Sequence, residues 1–320
     1  MENKSKRATI VAIKVLIIVL AYAYVGYKIA TSPDIDEFPS YFSGLDGTQT
    51  LILTAILLLM PINWLLETWK WQRLVCSIEK IGILKSIKAV MAGVTVGTLT
   101  PNRAGEFAGR ILFVSPENRA KASYLTIFGD MGQFCATVIF GIIGLIMLGT
   151  IGNETISFTT FMVIGAVCGL LIIALYIKFD GIINALGKTK LVQNRLKKYV
   201  PQCNIENKQK LVTLAISMLR YIVFAFQFYL SLKFFGIDIS AGNAFAAIAA
   251  TYICTYIIPN IAAAELGIRT SFALVFVGMF TTQETAVALA SLLLYIVNVG
   301  IPILVGGIVM IGKEDSKTEE

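Results

Sequence analysis

The chain has 320 residues, 56% of them hydrophobic and 15% charged, with a formal net charge of +7 and a mean hydropathy of +0.75. This is too apolar for a soluble domain of that length, and it leaves no folded basic domain of the kind that grips nucleic acid. Histidine is absent, and Cys76, Cys135, Cys168, Cys203 and Cys254 lack paired spacing, so neither a metal nor another cofactor is expected.

The first apolar run, Ala8 to Ala30, follows Lys4, Lys6 and Arg7 and is long enough to cross a bilayer. It exceeds the core of a signal peptide, and no small-residue cleavage pattern closes it, so it reads as a retained span. The next loop carries Asp34, Asp36, Glu37 and Asp46 without a lysine or arginine. A second span, Gln49 to Leu74, then ends among Lys70, Arg73, Lys80, Lys85 and Lys88. Basic residues mark the cytoplasmic side, which predicts an inside amino terminus. Trp64, Trp69 and Trp71 sit near that end, where an aromatic belt is expected, and Glu67 is expected to pair locally with Lys70 or Arg73.

A charged motif follows, TPNRAGEFAGR from Thr100 to Arg110, and it returns as IPNIAAAELGIR from Ile258 to Arg269. Pro101, Asn102, Ala104, Glu106 and Arg110 align with Pro259, Asn260, Ala263, Glu265 and Arg269 after a one-residue insertion. The offset, 263 − 104 = 159 residues, is about half the chain, as two fused copies of one unit would give. If the first motif crossed the membrane, Arg119, Lys121 and the basic stretch Lys178 to Lys210 would lie outside, against the positive-inside rule. A hairpin made of Lys85 to Leu99 and Ala104 to Val114, returning to its side of entry, keeps them inside.

Spans then follow at Ala122 to Leu148, Ser157 to Ile177 and Leu211 to Phe234. A second hairpin, Ala241 to Phe280, breaks at Pro259 and Asn260, and a last span runs from Ala286 to Ile311. The fold class is thus all-α: a polytopic membrane protein of about six transmembrane helices plus two re-entrant hairpins, with both termini cytoplasmic. One membrane domain covers residues 1–320, with repeat 1 at 8–150, repeat 2 at 157–312 and a basic cytoplasmic loop at 178–210. The hairpins enter from opposite faces, so the halves form an inverted repeat. Within the basic loop, Lys188 to Lys198 mixes Leu191, Val192 and Leu196 with lysine and arginine, which fits an interfacial helix on anionic lipid or an ordinary inside loop.

Broken backbone at membrane depth is tolerated only where protein buries it or a polar cavity bathes it, so the two tips should face each other. Each proline ends one arm, and Asn102 or Asn260 caps the next, which aims helix amino termini at the membrane middle. Glu106 with Arg110, and Glu265 with Arg269, stand one helical turn apart and can neutralise each other as local pairs. Charge at that depth is nonetheless costly, and its repetition marks a site for an anionic group, reinforced by Arg103. Asp130 and Arg220 lie at similar depth in their spans and are expected to line the same cavity, with Gln133 and Gln227 nearby.

The PNRAGEFAGR stretch, NWLLETWKWQRL from Asn63 to Leu74, SYLTIFGDMGQ from Ser123 to Gln133, and PNIAAAELGIR together resemble the lysylphosphatidylglycerol synthase transmembrane-region family, also labelled flippase-like or UPF0104 membrane proteins. The family's polar loop is matched by Pro101, Arg103, Gly105 and Glu106. Its later loop is matched by Pro259, Glu265 and Gly267, with Ala262 to Ala264 where glycines are common. The resemblance implies work on lipids: in fused members this region moves an aminoacylated phospholipid between leaflets while a cytosolic domain makes it. The polar tail ending at Glu320 is too short for such a domain, so a stand-alone flippase-like unit without synthase activity is expected.

The expected activity is binding and translocation of a phospholipid or lipid-linked intermediate in the cytoplasmic membrane, with anionic-head-group lipids as partners. Asn102, Arg103, Glu106, Arg110, Asp130, Arg220, Asn260, Glu265 and Arg269 would form the site. No ATP-binding loop motif is present, so movement would run down a gradient or couple to ions or protons. An enzyme acting on a lipid carrier and a small-solute secondary transporter are the alternatives, and a homo-oligomer is left open.

Overall fold

A computed structural model describes residues 23–37, 39, 44–98, 100, 103, 105–151, 158–187, 204–258 and 262–318. Most of the first expected span, the segment Lys188 to Lys198, and the tip residues Pro101, Asn102, Ala104, Pro259 and Asn260 lie outside these residues. The described chain is helical, and no strand occurs among the described residues. After a helical stretch at 23–30 come α1 (Gly47–Val75), α2 (Ile83–Thr98), α3 (Glu106–Ile111), α4 (Arg119–Ile151), α5 (Phe158–Ile177), α6 (Phe179–Gly187), α7 (Asn207–Phe234), α8 (Ala241–Ile257), α9 (Ala262–Phe276), α10 (Glu284–Tyr295) and α11 (Ile301–Thr318).

Four stretches are long and apolar enough to cross a bilayer: Gly47–Val75, Pro116–Thr150, Asn207–Phe234 and Glu284–Met310. A fifth is available if Val167–Ile177 and Phe179–Ala185, bent by 67°, form one span. The molecule is therefore a multi-pass helical membrane protein. Its surface agrees with an apolar solvent, since Leu51, Leu58, Leu170, Leu211, Leu304 and Ile308 are all exposed.

Local chemistry sets the helix ends. Asp46 opens α1 with a capping box, its carboxylate accepting from the Gln49 amide at 2.6 Å while its own amide donates to Gln49 Oε1 at 3.2 Å. Ser240 opens α8 by accepting from the Asn243 amide. Where α10 begins, Asp34 reaches over from the preceding acidic loop and accepts from the amides of Thr285 and Ala286 at 3.1 and 3.0 Å. Burial works to raise the proton affinity of Asp34, but the Ser32 hydroxyl and those two amides outweigh it and hold the carboxyl below its ordinary range. Beside it, Lys28 pairs with Glu284.

The first expected hairpin is present as α2 and α3, which pack antiparallel. A Cβ on Gly109 would stand 2.6 Å from the carbonyl oxygen of Ala92 and 2.7 Å from Cα of Gly93, so the two backbones touch where only glycine fits. Gly93 in turn leaves room for the Arg110 side chain. The second hairpin pairs α8 with α9, and the Arg269 guanidinium lies 5.7 Å from the ring centroid of Tyr252.

Each hairpin leans on the final span of the other half. The α2 arm packs on α11, where Thr95 donates to the Ile303 carbonyl at 3.0 Å and Gly306 seats against Met91. The α8 arm packs on α4, where Gly144 faces Ala246 and Ala249 and Gly141 faces Ile253. Helices α1 and α7 pack on each other and touch both assemblies, α1 through α2 and α4, and α7 through α4, α8 and α10. At one end of the bundle Asp180 binds Lys210 at 2.6 Å and accepts from the Tyr124 hydroxyl, tying the α5–α6 bend to α4 and α7.

One expectation needs correction. The three tryptophans do not form one belt: Trp64 and Trp71 are buried, and only Trp69 is exposed. Trp71 donates through Nε1 to the Thr126 hydroxyl at 2.9 Å, so it serves helix packing. The last span is present as expected, in the single stretch Glu284–Met310, and it contains a π-helical turn at Ile296–Gly300. Pro302 has no N–H to give to the carbonyl of Asn298 four residues earlier, and the wider turn accommodates that loss.

Candidate functional site

The hairpins and α1, α4, α7 and the π-turn line a half-open cavity of about 350 Å³. Arg103, Glu106, Arg110, Asp130, Arg220, Glu265 and Arg269, all expected from sequence, line it together. Asn102 and Asn260 lie outside the described residues. The wall is completed by aromatic side chains, among them Trp64, Tyr221, Phe224, Tyr252 and Tyr256, and by Glu67, Gln133 and Asn298.

Both local pairs form. Arg110 Nη2 meets Glu106 Oε2 at 2.9 Å, and Arg269 donates to Glu265. Neither pair closes on itself. Arg103, held at a left-handed φ of 54°, donates to Glu265 Oε2 from Nη2 at 2.7 Å and from Nε at 3.2 Å, and its Nη1 stands 3.7 Å from Glu106. A non-glycine residue in that conformation costs on the order of 1–3 kcal/mol, which the ionic contacts of Arg103 offset. One guanidinium therefore bridges the two repeated motifs.

Glu67 departs most from expectation. It does pair with Lys70 at 2.7 Å, but it also binds Arg110 at 2.9 Å and Arg220 at 3.0 Å, and only 1% of its side chain is exposed. Three cations on one buried carboxylate make it the hub of the network, whereas Arg73 stacks over Trp69 instead. Arg220 extends the network further. Its Nε donates to Asn63 Oδ1 at 2.7 Å, its Nη1 reaches Gln133 Oε1 at 3.3 Å, and its guanidinium lies 5.2 Å from the Trp64 ring centroid. Asn63 then donates to Asn298 Oδ1 at 3.4 Å, joining α1 to the π-turn.

The site's charges can be counted. Four arginines (Arg103, Arg110, Arg220, Arg269) and four carboxylates (Glu67, Glu106, Asp130, Glu265) line the cavity, with Lys70 behind Glu67. Glu67, Glu106 and Glu265 are each engaged by at least two cations. Asp130 has no ion pair among the described residues. Some donors are likewise unspent: Nε and Nη1 of Arg269 and the hydroxyls of Tyr221 and Tyr252 are buried without a hydrogen-bond partner among the described residues. Buried polar groups in native proteins are nearly always satisfied, so donors left over on side chains that line a cavity suit an acceptor there, whether water or ligand. The described residues hold no group of three or more His, Cys, Asp or Glu side chains that could bind a metal ion.

The model for the lysylphosphatidylglycerol synthase TM region matches residues 11–306, nearly the whole chain. The chain belongs to the lysylphosphatidylglycerol synthase TM region family. None of the curated proteins matches it. As a member of this family with a multi-pass helical fold, the chain is an integral membrane protein related to lipid handling. Within this family member, Glu67 and Asn298 are polar cavity residues that sequence reasoning did not assign to the site, although each lies inside an apolar run, and Asn63 supports them from behind the wall.

Proposed function

We propose that the protein binds the phosphate-bearing head group of a membrane lipid in this cavity and carries the lipid between leaflets, without catalysing a chemical change. The observation that carries this reading is the set of donors on Arg269, Tyr221 and Tyr252 without a hydrogen-bond partner among the described residues, on side chains that line the cavity between the two hairpins. A phosphate accepts several hydrogen bonds at once, and a bidentate guanidinium matches its geometry. The apolar cavity wall suits the glycerol and the first acyl carbons.

The reciprocal packing of α2 on α11 and of α8 on α4 supports two half-molecules of opposite orientation, repeat 1 at 8–150 and repeat 2 at 157–312, acting as one domain. Movement then consists of one half rocking against the other around the Arg103–Glu265 bridge. In this reading the acidic loop of Asp34 lies outside, the basic segment 178–210 and both termini lie in the cytoplasm, and the protein belongs to the cytoplasmic membrane.

The test is exposure of fluorescent phosphatidylglycerol to an impermeant quencher in proteoliposomes. The wild-type protein is expected to accelerate exposure at least tenfold over protein-free vesicles. Arg269→Met should abolish that gain, because Glu265 keeps Arg103 and the fold is retained, while Arg269→Lys restores part of it. Equal exposure by wild type and Arg269→Met would defeat the assignment. Uptake of small anionic solutes without lipid exposure would instead establish the transporter alternative.

A further inference from the structure

We infer that Asp130 is a proton-binding site whose protonation is coupled to entry of the anionic head group, so that the lipid and a proton occupy the cavity together. The inference rests on the lipid-binding reading above and adds its energy coupling. Its basis is the uneven pairing inside the cavity: three of the four carboxylates are clamped by two or three cations each, and Asp130 by none among the described residues. With every group ionised, the eight lining charges sum to zero, since four arginines face four carboxylates, and Lys70 behind Glu67 brings the whole network to +1. Neutralising Asp130 raises that balance by one positive charge, which favours entry of a phosphodiester with its single negative charge.

The surroundings make Asp130 the carboxylate able to change state. From α1 it faces Glu67 and Lys70, and from α3 Glu106 and Arg110. From α8 it faces Tyr256, and Arg220 of α7 lines the same cavity. Helix α5 has no charged residue, and its Tyr176 stacks on Phe128 instead. Each cation near Asp130 is already bound to another carboxylate: Lys70, Arg110 and Arg220 to Glu67, and Arg110 also to Glu106. Protonating one of those glutamates would strip partners from buried arginines, whereas protonating Asp130 breaks no ion pair.

Gln133 and Thr137 lie one and two turns further along α4 and line the same cavity, giving a polar track beside Asp130. A proton needs only this one carboxylate, whereas a caged divalent cation needs several, and the described residues contain no group of three or more His, Cys, Asp or Glu ligands. An incoming phosphate raises the affinity of the carboxylate for a proton, and by reciprocity the proton raises the affinity for phosphate. The proton comes from water on the side to which the cavity opens and is released with the lipid.

The test uses soluble short-chain phosphatidylglycerol added to purified protein in detergent, with binding read as a thermal shift from pH 5.5 to 8.5. For one linked proton, the wild-type dissociation constant should rise by up to about tenfold per pH unit above the transition. Asp130→Asn, which keeps the shape of the side chain and the neutral state, should bind with the tight low-pH affinity throughout and lose the slope. Asp130→Glu should recover it. In vesicles, wild-type lipid movement should respond to an imposed pH gradient, and movement by Asp130→Asn should not. Identical pH slopes in wild type and Asp130→Asn would overturn the coupling while leaving lipid transport standing. Absence of binding at any pH would overturn both.

Discussion

Glu67→Ala is expected to destabilise the protein by about 3–5 kcal/mol, because it removes the carboxylate shared by the buried Lys70 and Arg110 and the partly exposed Arg220. Lys70 and Glu67 are each only 1% exposed and Arg110 2%, so water cannot replace the lost partner. Arg110 would keep Glu106, but Lys70 would keep no ion pair among the described residues, and Arg220 would retain only the amide oxygens of Asn63 and Gln133. The expected readout is a large fall in the detergent melting temperature and in the yield of monodisperse protein. Combining Glu67→Gln with Lys70→Met removes one charge of each sign and should cost clearly less than Glu67→Ala alone. A melting temperature for Glu67→Ala within a degree or two of wild type would show that the three cations are solvated by other means.

The second large effect is expected at the bridge between the hairpins. Glu265→Gln leaves Arg103 and Arg269 without their shared carboxylate, while Arg103→Gln leaves Glu265 with Arg269 still in place. The glutamate variant should therefore be the more damaged of the two, in stability and in lipid exposure. Because one interaction joins them, the double variant should fall short of the summed single effects by about 0.5–3 kcal/mol. Additive losses would mean that the two hairpins are held in register by their apolar packing and that Arg103 contributes no clasp.

Much of this site was legible in the chain because charge is rare in an apolar polypeptide and therefore conspicuous. The repeated glutamate and arginine one turn apart, together with Asp130 and Arg220, led to residues that line one cavity. The hairpins were legible for a related reason: the positive-inside rule leaves few ways to thread the basic loops. What could not be read was partnership. Glu67 lies three residues from Lys70 and six from Arg73, so a local pair is the economical expectation, and only the crossing of α1 with α3 and α7 brings Arg110 and Arg220 onto it.

Trp64 and Trp71 were assigned to the lipid interface because tryptophan clusters there. Their spacing of seven residues puts them on one helix face, and nothing in that spacing says that the face points inward. The π-turn had a clue in Pro302 with Asn298 four residues before it. Proline in an apolar span more often gives a simple kink, and only tertiary packing selects the wider turn that presents Asn298 to Asn63. The expected count of six spans also exceeds the four or five that the described residues supply, chiefly because most of the first expected span lies outside them.

The central claim is that a lipid head group occupies the cavity between the hairpin tips, and native mass spectrometry of protein released from mild detergent tests it most directly. Wild-type protein is predicted to carry one phosphate-containing lipid per cavity, with that adduct lost in Arg269→Met and retained in Arg73→Gln, whose side chain stacks over Trp69 outside the cavity. Wild-type protein free of lipid, or an adduct equally abundant in Arg269→Met, would contradict it.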